Sequence, residues 1–264
     1  MTRVEARPEA SFESAVIEEL LTEPLGAVSR VTHQNPSATI LEALKTNGYA
    51  YVKQPLSLDE FELISKDIGT IQLKTDIKVD QGQVQLQNEA RTTGGRPSTY
   101  QAQGLDFHSD NPRISVLAWY CLEQDEMDGA LYLIDTDSVA EYLSQEELEI
   151  LTRTHVMYAH FREGSNKEEL LKEPVLTAVG SAYRVSYQSW LLLDEYTEEQ
   201  TAALSRFSDY IRQMQRTSRI RVRLEKYQSL FIDNRRLLHG RGSLPPNSKR
   251  HLIRLFLRTP DVRT

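Results

Sequence analysis

The chain has 264 residues, 39% of them hydrophobic and 26% charged, with a formal net charge of −7. Such a composition belongs to a soluble globular protein long enough to bury a sizeable core in one β-rich domain. The negative balance argues against nucleic-acid backbone or an anionic membrane surface as a partner and leaves a small-molecule substrate as the expected one.

No apolar stretch approaches the ~18 residues of a membrane span, and no signal-peptide core follows Met1. A lone Cys121 can form no internal disulfide and reads as a small core residue, so a reducing cytoplasm is the expected compartment. Nothing in the composition fixes an oligomeric state.

In chain order, residues 1 to 36 are polar and acidic with little period, and are expected to be an N-terminal arm. The folded domain is expected over 37 to 264. It opens with a helix at about 38 to 46, a strand at 48 to 53 and a helix at 58 to 68, the last announced by the capping box Ser57-x-x-Glu60. Residues 74 to 104 are rich in Gln, Thr, Gly and Ser, and read as an active-site lid.

Strands near 113 to 121 and 130 to 135 follow, then a helix near 138 to 143 and another from Ser144-x-x-Glu147. Strands at 174 to 179 and 182 to 187 are joined by Gly180-Ser181. A helix from Thr197-x-x-Gln200 carries Leu204, Phe207, Tyr210 and Ile211 at helical spacing, which is core packing. The last strands are expected at 219 to 224, 229 to 238 and 250 to 258. Many strands with inserted helices predict a mainly β protein with flanking helices, built on a double-stranded β-helix, a cupin-like jelly-roll.

Chemistry concentrates in three places. On a strand successive side chains alternate faces, so in Leu105-Asp106-Phe107-His108-Ser109-Asp110 the residues Asp106, His108 and Asp110 point one way. Six histidines and 38 acidic residues yield about one His-x-acid match by chance, so this pair alone decides nothing. Its context does: Pro112 marks a strand terminus, and His239 ends a second strand within Asp233-Asn234-Arg235-Arg236-Leu237-Leu238-His239-Gly240-Arg241. Two histidines and one carboxylate leave three positions open on a metal, which suits a non-heme Fe(II) oxygenase.

The third place is the strand Arg250 to Arg258, where Arg250, Leu252, Arg254, Phe256 and Arg258 share a face opposite His251, Ile253, Leu255 and Leu257. Both faces are apolar enough to be buried, and a buried guanidinium needs an anionic partner. No acidic residue neighbours the strand in sequence, so a ligand carboxylate is the expected partner. His33, His155, His160 and His251 read as ordinary surface or core residues, Trp119 and Trp190 as core, and Arg235, Arg236 and Arg241 as solvated or structural.

The segments Leu105 to Pro112, Gly129 to Ser138, Asp233 to Arg241 and Arg250 to Arg258, with the opening run from Ile40, resemble the taurine dioxygenase / γ-butyrobetaine hydroxylase / clavaminate synthase-like superfamily of Fe(II)- and 2-oxoglutarate-dependent oxygenases. The resemblance spans roughly residues 40 to 258. It implies that His108, Asp110 and His239 bind Fe(II), that Arg250 grips the distal carboxylate of 2-oxoglutarate, and that Arg254 faces the substrate or the near end of the co-substrate. O₂ is the oxidant and hydroxylation of an unactivated carbon the implied outcome, while Asp110 stands where related halogenases take a halide. The implied substrate is a small polar metabolite, amino-acid-like or carrying a carboxylate. The chain departs from many relatives at Asp128-Gly129-Ala130-Leu131, where a small hydroxyl residue helps to hold 2-oxoglutarate. Two other readings remain open on the residues alone: a non-enzymatic small-molecule sensor on the same barrel, and a metal-dependent hydrolase or isomerase.

Overall fold

Helix ends follow local sequence. In the computed structural model, which describes residues 27–28, 35–78, 104–126, 129–161, 168–192, 195–217, 219–245, 247–260 and 262, α1 (Pro36–Asn47) starts on a proline whose missing N–H has no helical partner to lose. The Asn35 side chain accepts from the Ala38 N–H at 3.1 Å, and Gly48 ends the helix in the left-handed region at φ 77°. In α2 (Leu58–Ile68) the Ser57/Glu60 capping box forms as the sequence predicts. After the single-turn α3 (Val139–Tyr142), the same box forms from Ser144 and Glu147 at α4 (Gln145–Arg153), and Thr197 with Gln200 builds its analogue at α5 (Glu198–Thr217).

The strands among the described residues are β1 (Ala27–Val28), β2 (Tyr49–Val52), β3 (Thr70–Lys78), β4 (Leu105–His108), β5 (Val116–Glu123), β6 (Leu131–Asp135) and β7 (His155–Phe161). They continue with β8 (Glu168–Pro174), β9 (Leu176–Val179), β10 (Ala182–Val185), β11 (Ile220–Val222), β12 (Ser229–Asp233), β13 (Leu237–Arg241) and β14 (His251–Arg258). A six-stranded sheet runs β1-β2-β12-β5-β14-β3 and a four-stranded sheet runs β11-β6-β13-β4, with the ribbons β7-β8 and β9-β10 beside them. Every pairing is antiparallel except β1 with β2. The architecture is the jelly-roll expected.

Strand alternation sorts the core into layers. Leu117, Trp119 and Cys121 of β5, Leu252 and Phe256 of β14, and Leu237 of β13 fill the space between the two sheets. Their alternates Val116, Ala118, Tyr120, Ile253, Leu255 and Leu257 pack beneath α1 and α2, where Phe61 stacks on Tyr120 at 5.1 Å. Full burial of a side chain such as Phe61 contributes roughly 1.5–3 kcal/mol. A third layer, with Phe107, Ile134 and Leu238, lies under α5 through Leu204, Phe207 and Tyr210. Because the inner layer is shared by both sheets, any polar side chain placed there must find a partner inside the barrel.

Three expectations need correction. Residues 74 to 78, read as the start of a lid, belong to β3, which pairs along β14 from His251↔Lys78 to Arg258↔Thr70; residues 79 to 103 lie outside the described residues. The single strand expected at 229 to 238 is two, since Asn234, Arg235 and Arg236 form a turn that passes the chain from the larger sheet to the smaller. Neither strand of the β7–β8 ribbon was expected. Of the stretch 1 to 36, Ala27–Val28 pairs with β2 and Pro36 opens α1, and residues 1–26 and 29–34 lie outside the described residues. No helix among the described residues is long and apolar enough to cross a membrane.

Candidate active site

β4 and β13 bring the two histidines together. His239 pairs directly opposite His108, and their rings stand 4.3 Å apart, centroid to centroid. The ladder shifts register immediately afterwards, between His239 and Arg241. Gly240 permits this, because a Cβ there would meet the Leu105 carbonyl oxygen at 2.8 Å. The turn ahead of β13 is anchored by Arg236, which bridges Asp135 and Asp137 at 2.6 and 2.9 Å and donates to the Lys45 and Thr46 carbonyls at the end of α1. Those carbonyls have no partner within the helix, so the guanidinium caps α1 while fixing the entry to the histidine strand.

Asp110 reaches the same place by another route than strand alternation. β4 ends at His108, and Asp110 lies in the loop that follows. Asn234 holds it there: its Oδ1 accepts from the Asp110 N–H at 2.8 Å, and its Nδ2 donates to the carbonyls of Asp110, Asn111 and Ile114 at 3.3, 3.3 and 3.0 Å. Ser109 is clamped as well, with its N–H on the Tyr187 carbonyl, its Oγ accepting from the Tyr187 N–H, and its carbonyl receiving Gln188 Nε2 at 2.8 Å. Asn234, Ser109 and Gln188 thus set a carboxylate that the sequence placed on a strand.

One ligand atom from each of His108, Asp110 and His239 lies within 4.8 Å of the others. The Nδ1 of His108 is 2.7 Å from the Asp106 carbonyl, which can only accept, so Nδ1 carries the proton and Nε2 keeps its lone pair. Asp110 Oδ2 and His239 Nε2 are buried and have no hydrogen-bond partner. Buried acceptors left unsatisfied cost free energy, and a cation on them removes that cost. Burial pushes both imidazoles below their usual range, His239 furthest because His108 adjoins it. Burial would raise Asp110, but the neighbouring guanidinium of Arg254, foremost among the groups around it, holds the carboxyl below its usual value. Neutral imidazoles and an ionised carboxylate are the protonation states in which these groups ligate metal, and the donor set fits Fe(II).

Aromatic rings wall the centre. Trp190 lies 5.1 Å from His108 and Trp119 5.5 Å from His239, so the tryptophans expected as core residues are packed on the two imidazoles. The cavity beneath is lined by Ile77, Trp119, Leu131, both histidines and the arginines 241, 250 and 254. All three arginines are buried, which corrects the solvated reading of Arg241; Arg236, buried too, is structural. Arg250 is pushed down to about 9 by burial and by the nearby charge of Arg241, which burial itself pushes down to about 10. Arg254 Nη1 stands 3.5 Å from Asp110 Oδ2, so the acid that sequence proximity did not supply comes from the β4–β5 loop. A larger cavity, of about 510 Å³, lies beside β4 against Phe107, Tyr187, Arg212 and Arg241, and none of the three candidate ligands lines it.

The taurine catabolism dioxygenase TauD, TfdA family matches residues 18–256. Among solved structures the chain is similar to an asparagine oxygenase in complex with Fe(II), 2S,3S-3-hydroxyasparagine and succinate, at 18% identity over 83% of this chain and 78% of that one, with a TM-score of 0.61. It is also similar to the non-heme iron oxygenase OrfP in complex with Fe, succinate and (3S)-hydroxy-L-Arg, at 15% identity, 85% and 82% coverage and a TM-score of 0.61. The PvcB protein from Pseudomonas aeruginosa aligns at 14% identity, 86% and 84% coverage and a TM-score of 0.59. At such identities these likenesses speak for the fold. By sequence, no individual curated protein matches the chain.

Proposed function

Because this chain belongs to the taurine catabolism dioxygenase TauD, TfdA family and is a 2-oxoglutarate-dependent Fe(II) dioxygenase, we propose that it hydroxylates an unactivated carbon of a small amino-acid-like or carboxylate-bearing metabolite, with His108, Asp110 and His239 as the iron ligands. The observation that carries this reading is the meeting of two imidazoles and one carboxylate within 4.8 Å, at a cavity that buried arginines also line. A sensor or a hydrolase needs no such pairing of an open metal face with buried cations. Fe(II) with 2-oxoglutarate and O₂ supplies the oxidising chemistry, consuming the co-substrate to succinate and CO₂.

The chain's own residues orient and protect. Asp106, through its carbonyl, fixes the tautomer of His108. Asn234 holds Asp110 at the loop position from which it reaches both histidines. Arg250, buried and with an Nε that has no hydrogen-bond partner, is assigned to the distal carboxylate of 2-oxoglutarate, which its planar donor pair can grip at two points. Arg254, beside Asp110, is assigned to a carboxylate of the substrate. The rings of Trp119 and Trp190 keep water from the ligand imidazoles, which suppresses side reactions.

Support for an amino-acid-like substrate comes from Arg254 and from two of the similar structures, whose bound molecules are hydroxyasparagine and hydroxyarginine. The test is a panel of amino acids and small carboxylates scored by substrate-dependent succinate formation. Amino acids are expected to stimulate turnover and neutral apolar compounds of the same size are not; stimulation by neutral compounds alone would sink the substrate assignment.

A further inference from the structure

Ser115 ties three segments of the chain together. Its N–H donates to the Leu257 carbonyl at 2.9 Å, its carbonyl accepts from the Asn234 N–H at 3.0 Å, and its hydroxyl donates to the Thr259 carbonyl at 3.1 Å. The residue is buried, so these bonds are shielded from competing water. Each segment carries an arginine beside the tie: Arg113 in the β4–β5 loop, Arg235 in the turn between β12 and β13, and Arg258 at the end of β14.

All three arginines line one open cavity of about 530 Å³, together with the hydroxyl residues Thr70, Ser115 and Thr259. None of the described residues lining it is acidic, and it shares none of them with the cavity at the metal centre. Arg235 Nε stands 3.9 Å from Asp233 Oδ1, whereas Arg113 and Arg258 have no acidic partner among the described residues. In a chain of net charge −7 this is a local reversal of sign. Cations held on tied backbone repel one another, and a multiply charged anion removes that repulsion while accepting from their forked donors. A phosphate group suits the site better than a carboxylate does, because it carries about −1.5 to −2 charges and three acceptor oxygens, one for each segment's arginine.

We propose that Arg113, Arg235 and Arg258 bind a phosphate group, as the free ion or as the monoester of a small metabolite, and that its occupant braces the loop bearing Asp110. The bracing follows from the tie. Asn234, whose N–H is held by the Ser115 carbonyl, also holds the N–H and carbonyl of Asp110, so an anion that cross-links the three segments restrains the same loop. The anion site stands independently of the iron ligands; the bracing rests on Asp110 being one of them.

The test begins with metal-free protein, so that the anion site is judged apart from the metal. Calorimetric titration with inorganic phosphate and with glycerol 3-phosphate, at an ionic strength fixed with chloride, is expected to give one saturable site. Arg113→Gln and Arg258→Gln, at exposed positions outside the core, are each expected to weaken it by about 10–100-fold, the effect of losing a hydrogen bond to a charged group. Stronger binding of inorganic phosphate identifies the free ion as the ligand, and stronger binding of the monoester identifies a metabolite. No saturable binding of either, or binding that both variants leave unchanged, overturns the site. The second arm repeats the glycerol 3-phosphate titration with Co(II) bound, since linkage requires the metal to tighten the anion by the factor by which the anion tightens the metal. A severalfold tightening, lost in Arg258→Gln, is expected. Equal affinity with and without Co(II), or a tightening that survives Arg258→Gln, overturns the bracing. Failure of Co(II) to bind the wild-type protein would instead overturn the metal site on which the bracing rests.

Discussion

Arg254 Nη1 stands 3.5 Å from Asp110 Oδ2, and the same oxygen stands 3.7 Å from His239 Nε2. The loop carboxylate is thereby shared between a cation of the larger sheet and an imidazole of the smaller one. An Asp110→Asn variant keeps the shape and an acceptor for Arg254 but loses the charge proposed to ligate the metal, so succinate formation is expected to vanish with little change in melting temperature. Asp110→Ala also strips Arg254 of this contact and is expected to cost about 1–3 kcal/mol of stability. Turnover and thermal melting, measured on both variants, check this; an active asparagine variant removes Asp110 from the metal site.

Asn234 makes the second prediction. It is fully buried, and four of its contacts with the loop 110 to 114 hold the chain at Asp110. Replacing residues that orient metal ligands typically lowers affinity or activity by about 10–100-fold, and Asn234→Ala is expected to weaken Fe(II) within that range. Competition with a chelator, at a temperature where the variant is folded, measures it. Wild-type affinity would show that Asp110 is held well enough by Ser109 and Gln188.

Much of this was legible in the sequence, for reasons that differ by element. Helix starts at Ser57, Ser144 and Thr197 were readable because capping chemistry is local, spanning three residues. The inward face of β14 was readable because strand alternation is obligatory. Asp110 was identified with the wrong geometry: alternation was extended past His108, where the strand stops. What sequence could not convey is contact between distant segments. Asn234 meets Asp110 across 124 positions, and Leu131 meets Arg241 only through the ladder of β6 and β13. The sole local trace of Asn234's role is a turn-forming residue between two apolar runs, at the point where a single strand was expected to continue.

A third prediction uses the aromatic wall. The chain has two tryptophans, and both pack on the candidate ligand imidazoles, at 5.1 Å for Trp190 on His108 and 5.5 Å for Trp119 on His239. Tryptophan emission, excited above the absorption of the 12 tyrosines, therefore reports the site. Anaerobic addition of Fe(II), or of Co(II) as a stable substitute, is expected to quench most of the emission at one equivalent, and His239→Ala to abolish the response. Emission unchanged by a metal that calorimetry shows to be bound would place that metal at another site.

The last prediction separates Arg250 from Arg254. Four residues on one strand face set their Cα atoms about 13 Å apart, too far for both to grip the same end of one small dicarboxylate, and Arg254 is already committed to the metal end by Asp110. An ammonium replaces a planar two-pronged guanidinium poorly in a dry pocket. Arg250→Lys is therefore expected to raise the 2-oxoglutarate KM by about tenfold, a loss of about 1.4 kcal/mol, with kcat less affected. Arg254→Lys is expected to raise chiefly the KM of the organic substrate. Steady-state kinetics with each reactant varied in turn distinguishes the two. If both variants raise only the 2-oxoglutarate KM, Arg254 belongs to the co-substrate site, and the case for an anionic substrate loses its structural support.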